Sequence, residues 1–167
     1  MTPTLDGIYL QLARGRLVVH LTEQIKQCLE TLDEEQIWWR PNEGANAIGN
    51  LILHLCGSTR HFIGHLLGGS SFTRDREAEF TERQHLAKHE LLRLLLETAE
   101  ETDRVLTAFQ PGRLLEPMEV MGKPSTPAQL ILHVMLHYAT HAGQIIYATK
   151  MMKTGAIHDI WRKTPTG

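Results

Sequence analysis

The sequence predicts an all-α fold, a four-helix bundle. Three observations predict it. Apolar residues recur at three- and four-residue spacing over four long stretches. Segments rich in Pro, Gly and Asn separate those stretches. No run of strand-like alternation lies between them, which argues against a layered strand–helix architecture. Long amphipathic helices bury their stripes most economically against one another. A chain of 167 residues has room for one such core and not for two, so residues 1–167 are expected to form a single domain.

The first helix is expected from about Leu5 to Leu32, with Leu10, Leu17, Leu21, Ile25 and Leu29 on one face and Gly15 as a local weak point. Trp38-Trp39-Arg40-Pro41-Asn42-Glu43-Gly44 reads as a loop. Asn46 is a candidate N-cap for a second helix through about Leu67, stopped by Gly68-Gly69. Ser70 to Glu79 is polar and charged, and reads as a surface connection. A third helix is expected from about Thr81 to Phe109, with Leu91, Leu94, Leu95, Thr98, Val105 and Leu106 inward and Pro111-Gly112 ending it. In the loop that follows, Met118–Met121 could form a short extended piece. The fourth helix has the clearest start: Thr126 as N-cap, Pro127 at the first helical position and Gln129 closing a capping box. It is expected to run to about Thr154, with Gly155 as its stop.

The bulk numbers narrow the function classes. The composition is 42% hydrophobic and 22% charged with a net charge of −2, ordinary for a globular protein and without a basic footprint for nucleic acid or anionic membrane. Cys28 and Cys56 are too few for a disulfide scaffold, fit no metal-cysteine spacing, and read as small buried hydrophobes. The N-terminal residues do not have the pattern of a signal peptide, and no apolar run is long enough to span a membrane. A cytoplasmic location is the expectation. The compositional oddity is ten histidines.

Histidines four residues apart lie one turn above each other on a helix, so their rings can converge on one ion. That spacing occurs as His61/His65, His85/His89, His133/His137 and His137/His141, and spacing alone cannot separate the pairs. The helical wheel can. At about 100° per residue from Leu130, His137 falls near 340° and His141 near 20°, within the apolar stripe of Val134, Ala148 and Met152. His133 falls near 300°, on the edge of that stripe, and about 12 Å along the axis from His141, too far to share its ion. His85 and His89 sit among charged residues and read as a solvated face. His61 and His65 lie near the glycine-rich end of the second helix and read as exposed or rim residues. His54, at the flank of the second helix's stripe and midway along it, is the better third ligand. The alternative for His137 and His141 is a pair of core histidines hydrogen-bonded to backbone or carboxylates.

Two motifs then matter together: Leu51-Ile-Leu-His54-Leu, preceded by Asn46-Ala-Ile-Gly-Asn50, and His133-Val-Met-Leu-His137-Tyr-Ala-Thr-His141-Ala-Gly-Gln144-Ile. On these the chain resembles the DinB-like superfamily, also named DinB/YfiT-like, over nearly its whole length. The resemblance implies a bundle in which histidines of the second and fourth helices hold a divalent metal. Carried over to this sequence, those are His54, His137 and His141. The Trp38–Asn42 loop is similar to the segment preceding the second helix in some relatives. Ala142 departs from the basic residue many relatives carry before Gly-Gln, which puts in doubt a substrate contact from that position. The resemblance also implies a homodimer. It points to transferases that use a small-molecule thiol, of the bacillithiol or mycothiol type, with an electrophilic substrate.

Three neutral ligands leave an ion its charge and an open position, suited to activating a thiol or a water. Zinc or nickel is expected first, with iron or manganese also compatible. No residue is placed as a catalytic acid or base. His133 and Gln144 are candidates to support the ligands, and Tyr138 reads as packing. Arg40 and Arg60 read as surface residues that could instead hold an acidic thiol. Two other readings stand beside the transferase: a metal-dependent hydrolase, and a non-catalytic, metal-stabilised, stress-associated bundle. The latter would need a fourth protein ligand, which the inward stripes do not offer. An interaction module without metal, presenting Trp38, Trp39 and Trp161, is a further alternative.

Overall fold

A computed structural model describes residues 4–82, 86–155 and 157. Four long helical rods dominate it, as the apolar spacing predicts, and two of them change winding part-way. The first rod begins as α1 (Leu5–Arg14), where the Thr4 hydroxyl accepts from the Gly7 N–H. It widens to a π-helix over Gly15–His20 and continues as α2 (Leu21–Thr31). The weak point expected at Gly15 is therefore a change of winding, not a break.

The segment expected as a loop begins inside a short helix. Asp33 and Gln36 form a reciprocal capping box with bonds of 2.9 and 3.1 Å, which starts α3 (Glu34–Trp38). Trp38 is buried and donates its indole N–H to Leu86 O at 3.1 Å. It seals one end of the bundle against Gly49, where a Cβ would lie 2.7 Å from the indole ring. The N-cap of the second rod is Ala47, not Asn46, and it makes no side-chain cap bond. That rod is α4 (Ile48–Thr59) followed by a second π-wound stretch, Arg60–Leu67. It stops at Gly68, and Gly69 takes a positive φ of 72°.

The largest correction falls on residues 70–81. They hold a helix, α5 (Arg76–Thr81), capped by Asp75, and Glu79 on it is buried. The third rod, α6 (Lys88–Ala108), starts later than expected from Thr81. Its first turn is closed by the Ala87 N–H donating to Glu90 Oε2 at 3.1 Å. The extended piece expected at Met118–Met121 is β1 (Met118–Val120), paired antiparallel with β2 (Lys123–Ser125), Met118 opposite Ser125. Met121 and Gly122, at φ 52° and 76°, form the tight turn between them.

The fourth rod is α7 (Pro127–Met152), starting as expected with Thr126 accepting from the Gln129 N–H at 3.3 Å. The Gln129 Oε1 takes the Thr126 hydroxyl at 3.4 Å, so the box is half formed. The rod ends at Met152, two residues before the expected Thr154, with Lys153 as its C-cap, and Gly155 takes a left-handed φ of 77°.

The first and second rods each pack against the third and the fourth. The bundle therefore reads first, third, second, fourth around its square, and α4 and α7 are direct neighbours. Leu17, Ile25, Leu55, Ile63, Leu95 and Ile131 are among the fully buried side chains between them. Cys28 and Cys56 are buried there as free thiols. Among the described residues no helix is long and apolar enough to cross a membrane.

Candidate metal centre

The packing of α4 on α7 brings His54, His137 and His141 together. His54 is buried, and the two α7 histidines are half-buried, one turn apart. His54 Nε2 lies 2.9 Å from His137 Nε2, and His141 Nε2 lies 3.2 Å from the same atom. The three rings meet edge to face, at interplanar angles of 72°, 88° and 82°. They thus fan around a common point instead of stacking.

The opposite ring nitrogens fix the tautomers. His54 Nδ1 donates to Glu79 Oε2 at 2.8 Å, and His141 Nδ1 donates to Gln144 Oε1 at 2.7 Å. Each ring therefore turns an unprotonated Nε2 inward. A hydrogen on His137 Nε2 could serve only one of the two lone pairs facing it. Histidines sharing a tetrahedral zinc at about 2.05 Å would have nitrogens about 3.3 Å apart, close to the two separations made by His137, and all three donor atoms lie within 4.8 Å of one another. The donor set and its spacing fit a divalent cation.

Charge follows the same design. Burial, then the neighbouring His141 and His54, push the His137 imidazole down to about 4. Burial likewise lowers His141, against the raising effect of its bond to Gln144. Burial alone would raise the Glu79 carboxyl, but hydrogen bonds from Arg74 and His54 outweigh it and hold Glu79 below the usual carboxylate range. Near neutrality His137 and His141 are uncharged ligands, and Glu79 is an anion behind His54.

Glu79 is the residue the sequence reading missed. Arg74 grips it as a fork, Nε to Oε1 at 2.6 Å and Nη2 to Oε2 at 2.7 Å. Asn50 Nδ2 donates to the Glu79 carbonyl at 3.0 Å, and Arg40 donates to Asn50 Oδ1 at 2.5 Å. Gly57 makes the approach possible, because a Cβ there would lie 2.1 Å from Glu79 Oε1. Phe80 covers His54 with its ring 4.7 Å away. The sequence signal was Asp75, an N-cap for a short helix, but Arg74-Asp-Arg-Glu-Ala-Glu79 has the composition of a surface.

The remaining histidines fall outside the cluster. His133 is exposed and stacks beside His137 at 6.0 Å, so it touches a candidate ligand without joining the three nitrogens. His65 and His89 are exposed and His61 is half-buried; His85 lies outside the described residues, as does Trp161. Gln144 is exposed, with its Oε1 2.7 Å from His141 Nδ1. Tyr138 is buried packing, its hydroxyl 3.0 Å from that of Thr22. Ala142 is buried in the core, so its position would not reach a substrate in this fold. Arg40 and Arg60 are not simply solvated: Arg40 holds Asn50, and Arg60 pairs with Glu101 at 3.0 Å while lying over Phe72. On the outer side of His141 a cleft of about 410 Å³ runs between Trp39, Ile48, Leu51 and the last turns of α7.

Residues 5–162 match the family described as protein of unknown function DUF1572. The chain belongs to that family. It is a DinB-like family, in agreement with the resemblance carried by the two histidine motifs. Two crystal structures share the fold. One is the DinB-like protein YjoA of Bacillus subtilis, 18% identical, with a TM-score of 0.65 over 87% of this chain and 94% of that one. The other is a DinB-like protein of Bacillus cereus, 15% identical, with a TM-score of 0.68 over 91% of this chain and 95% of that one. At such identities the likeness speaks for the bundle alone. No curated protein matches the chain.

Proposed function

We propose that this DUF1572 protein is a metal-dependent transferase that joins a low-molecular-weight thiol to an electrophile. Its divalent ion would be held by Nε2 of His54, His137 and His141, with zinc or nickel ahead of iron or manganese. The observation that carries the reading is the convergence of three imidazoles, two of them locked by Glu79 and Gln144 with their lone pairs inward. An ion so held supplies Lewis acidity, favouring the deprotonated form of a thiol or a water at its free position.

The chain's own residues do the rest. Arg74 and Glu79 fix the His54 ring, and Gln144 fixes His141, so little reorganisation is needed when a ligand arrives. The bundle core dries one side of the cluster and the half-exposed α7 histidines leave the other side accessible. In the transfer, the thiol proton passes to solvent and the sulfur forms a bond to the electrophilic carbon. The leaving group departs with the electron pair of the bond that breaks.

Among the described residues no fourth histidine, cysteine or carboxylate joins the group. That favours an open site over a closed structural one, and so favours catalysis over the stress-associated bundle. Hydrolysis through an activated water is the second reading of the same open position. The proposal places the protein in the cytoplasm as a homodimer.

The test is a cobalt(II)-loaded sample titrated with bacillithiol, mycothiol and N-acetylcysteine, followed by 1-chloro-2,4-dinitrobenzene. A thiolate-to-cobalt charge-transfer band and thiol-dependent arylation, both lost in His137→Ala, are expected. A cobalt spectrum that no thiol changes, together with ester hydrolysis, would replace the transferase with the hydrolase.

A further inference from the structure

We propose that the cleft beside His141 binds an uncharged organic molecule with an apolar, preferably aromatic, body and a carbonyl-type oxygen. Its volume, about 410 Å³, lies in the range of small-molecule sites. The walls are apolar, and their large groups are left open to solvent: Trp39, Tyr147 and Met151 are 45%, 68% and 63% exposed. Single exposed apolar residues need no explanation, but three around one concavity mark a binding surface. They supply flat and adaptable contacts for an aromatic body.

Charge narrows the class. Apart from the neutral His141, none of the described residues lining the cleft is titratable near neutrality. In the metal-free chain a carboxylate brought in would lose water without gaining a cation, which is costly. The neighbouring depression beyond Trp39 and Met152 carries Asp33 and Glu35, and repels anions further.

The polar groups narrow it again. Asn46 and Gln144 line the cleft. Gln144 Oε1 accepts from His141 Nδ1, and its amide N–H pair is the donor it can turn towards a ligand. Donors call for an acceptor oxygen. The side chain that would read that oxygen also sets the orientation of a candidate metal ligand.

On the proposed function above, this molecule is the electrophile. An acidic thiol such as bacillithiol would then approach the histidines from elsewhere. Occupancy of the cleft itself does not depend on that reading, and the experiment separates the two.

The test is calorimetric titration of the full chain, metal-free and zinc-loaded, with 4-phenylbutan-2-one and with 4-phenylbutanoate. On the metal-free chain the ketone is expected to bind about tenfold or more tightly than the carboxylate, as an unpaired charge in an apolar cleft demands. Trp39→Ala and Met151→Lys, both at exposed positions, should each abolish saturable ketone binding while helicity and metal content stay as in the wild type. Equal or tighter binding of the carboxylate to the metal-free chain would overturn the proposal. So would ketone binding unchanged in both variants, or no ketone binding up to its solubility limit. Ketone binding to a protein that takes up no metal would retain the cleft and sink the metalloenzyme. Metal uptake without ketone binding would do the reverse.

Discussion

Gly57→Ala tests how the candidate metal centre is held. In a helix this change normally stabilises by up to about 1 kcal/mol. Here the new Cβ would meet Glu79 Oε1 at 2.1 Å and Cδ at 2.9 Å. Restoring an ordinary separation of about 3.5 Å requires the carboxylate to retreat by more than about 1 Å. Such a retreat breaks or stretches three bonds, those to His54 at 2.8 Å and to Arg74 at 2.6 and 2.7 Å. Hydrogen bonds involving charged groups contribute about 1.5–3 kcal/mol each, so losing one already outweighs the gain in helix propensity. The metal-free variant should be less stable by about 1–2 kcal/mol, which lowers Tm by roughly 2–8 °C for a domain of this size. Freed from Glu79, His54 should also cost about 10- to 100-fold in metal affinity. Thermal unfolding by circular dichroism and chelator competition read the two effects. A Gly57→Ala protein as stable as the wild type, with unchanged affinity, would refute the packing of Glu79 against α4.

Three further outcomes follow from the same geometry. Gln144→Leu, at an exposed position, should leave stability within about 0.5 kcal/mol yet weaken zinc binding in chelator competition by about tenfold or more. Metal-free stability should fall as pH drops from about 6.5 towards 4: unfolded His137 takes up its proton near the ordinary value and folded His137 only at about 4. Its contribution is fully present above 6.5, and urea titrations should show a shallower slope in that window for His137→Gln. Burial pushes the Cys56 thiol up to about 12 and raises Cys28 as well, so neither should react with a thiol reagent until the protein unfolds. Labelling of the native protein at the rate of free cysteine would contradict that burial.

The four long rods and the three histidines were legible in the sequence because both follow from periodicity. His137 and His141 share the apolar stripe of α7, and a wheel places them inward whatever they pack against. His54 follows from its height along α4. Glu79 was not legible, because a buried carboxylate satisfied by Arg74 and His54 is surrounded by the residues a surface would carry. Its burial depends on Gly57, far away in sequence, and on a helix too short to show a period. The capping box of Asp33 and Gln36 is present in the sequence, but Pro41 and Gly44 just beyond it give the segment the composition of a loop. The π-wound stretches at 15–20 and 60–67 shift hydrogen bonds by one residue without disturbing the apolar order, so spacing alone could not reveal them.

The most direct measurement of the central claim is elemental analysis of untagged protein beside a His137→Ala/His141→Ala double variant. The account predicts about one divalent ion per wild-type chain, lost in the double variant while its helical circular dichroism persists. A wild-type protein that binds no ion even after reconstitution, or a double variant that retains it, would contradict the account.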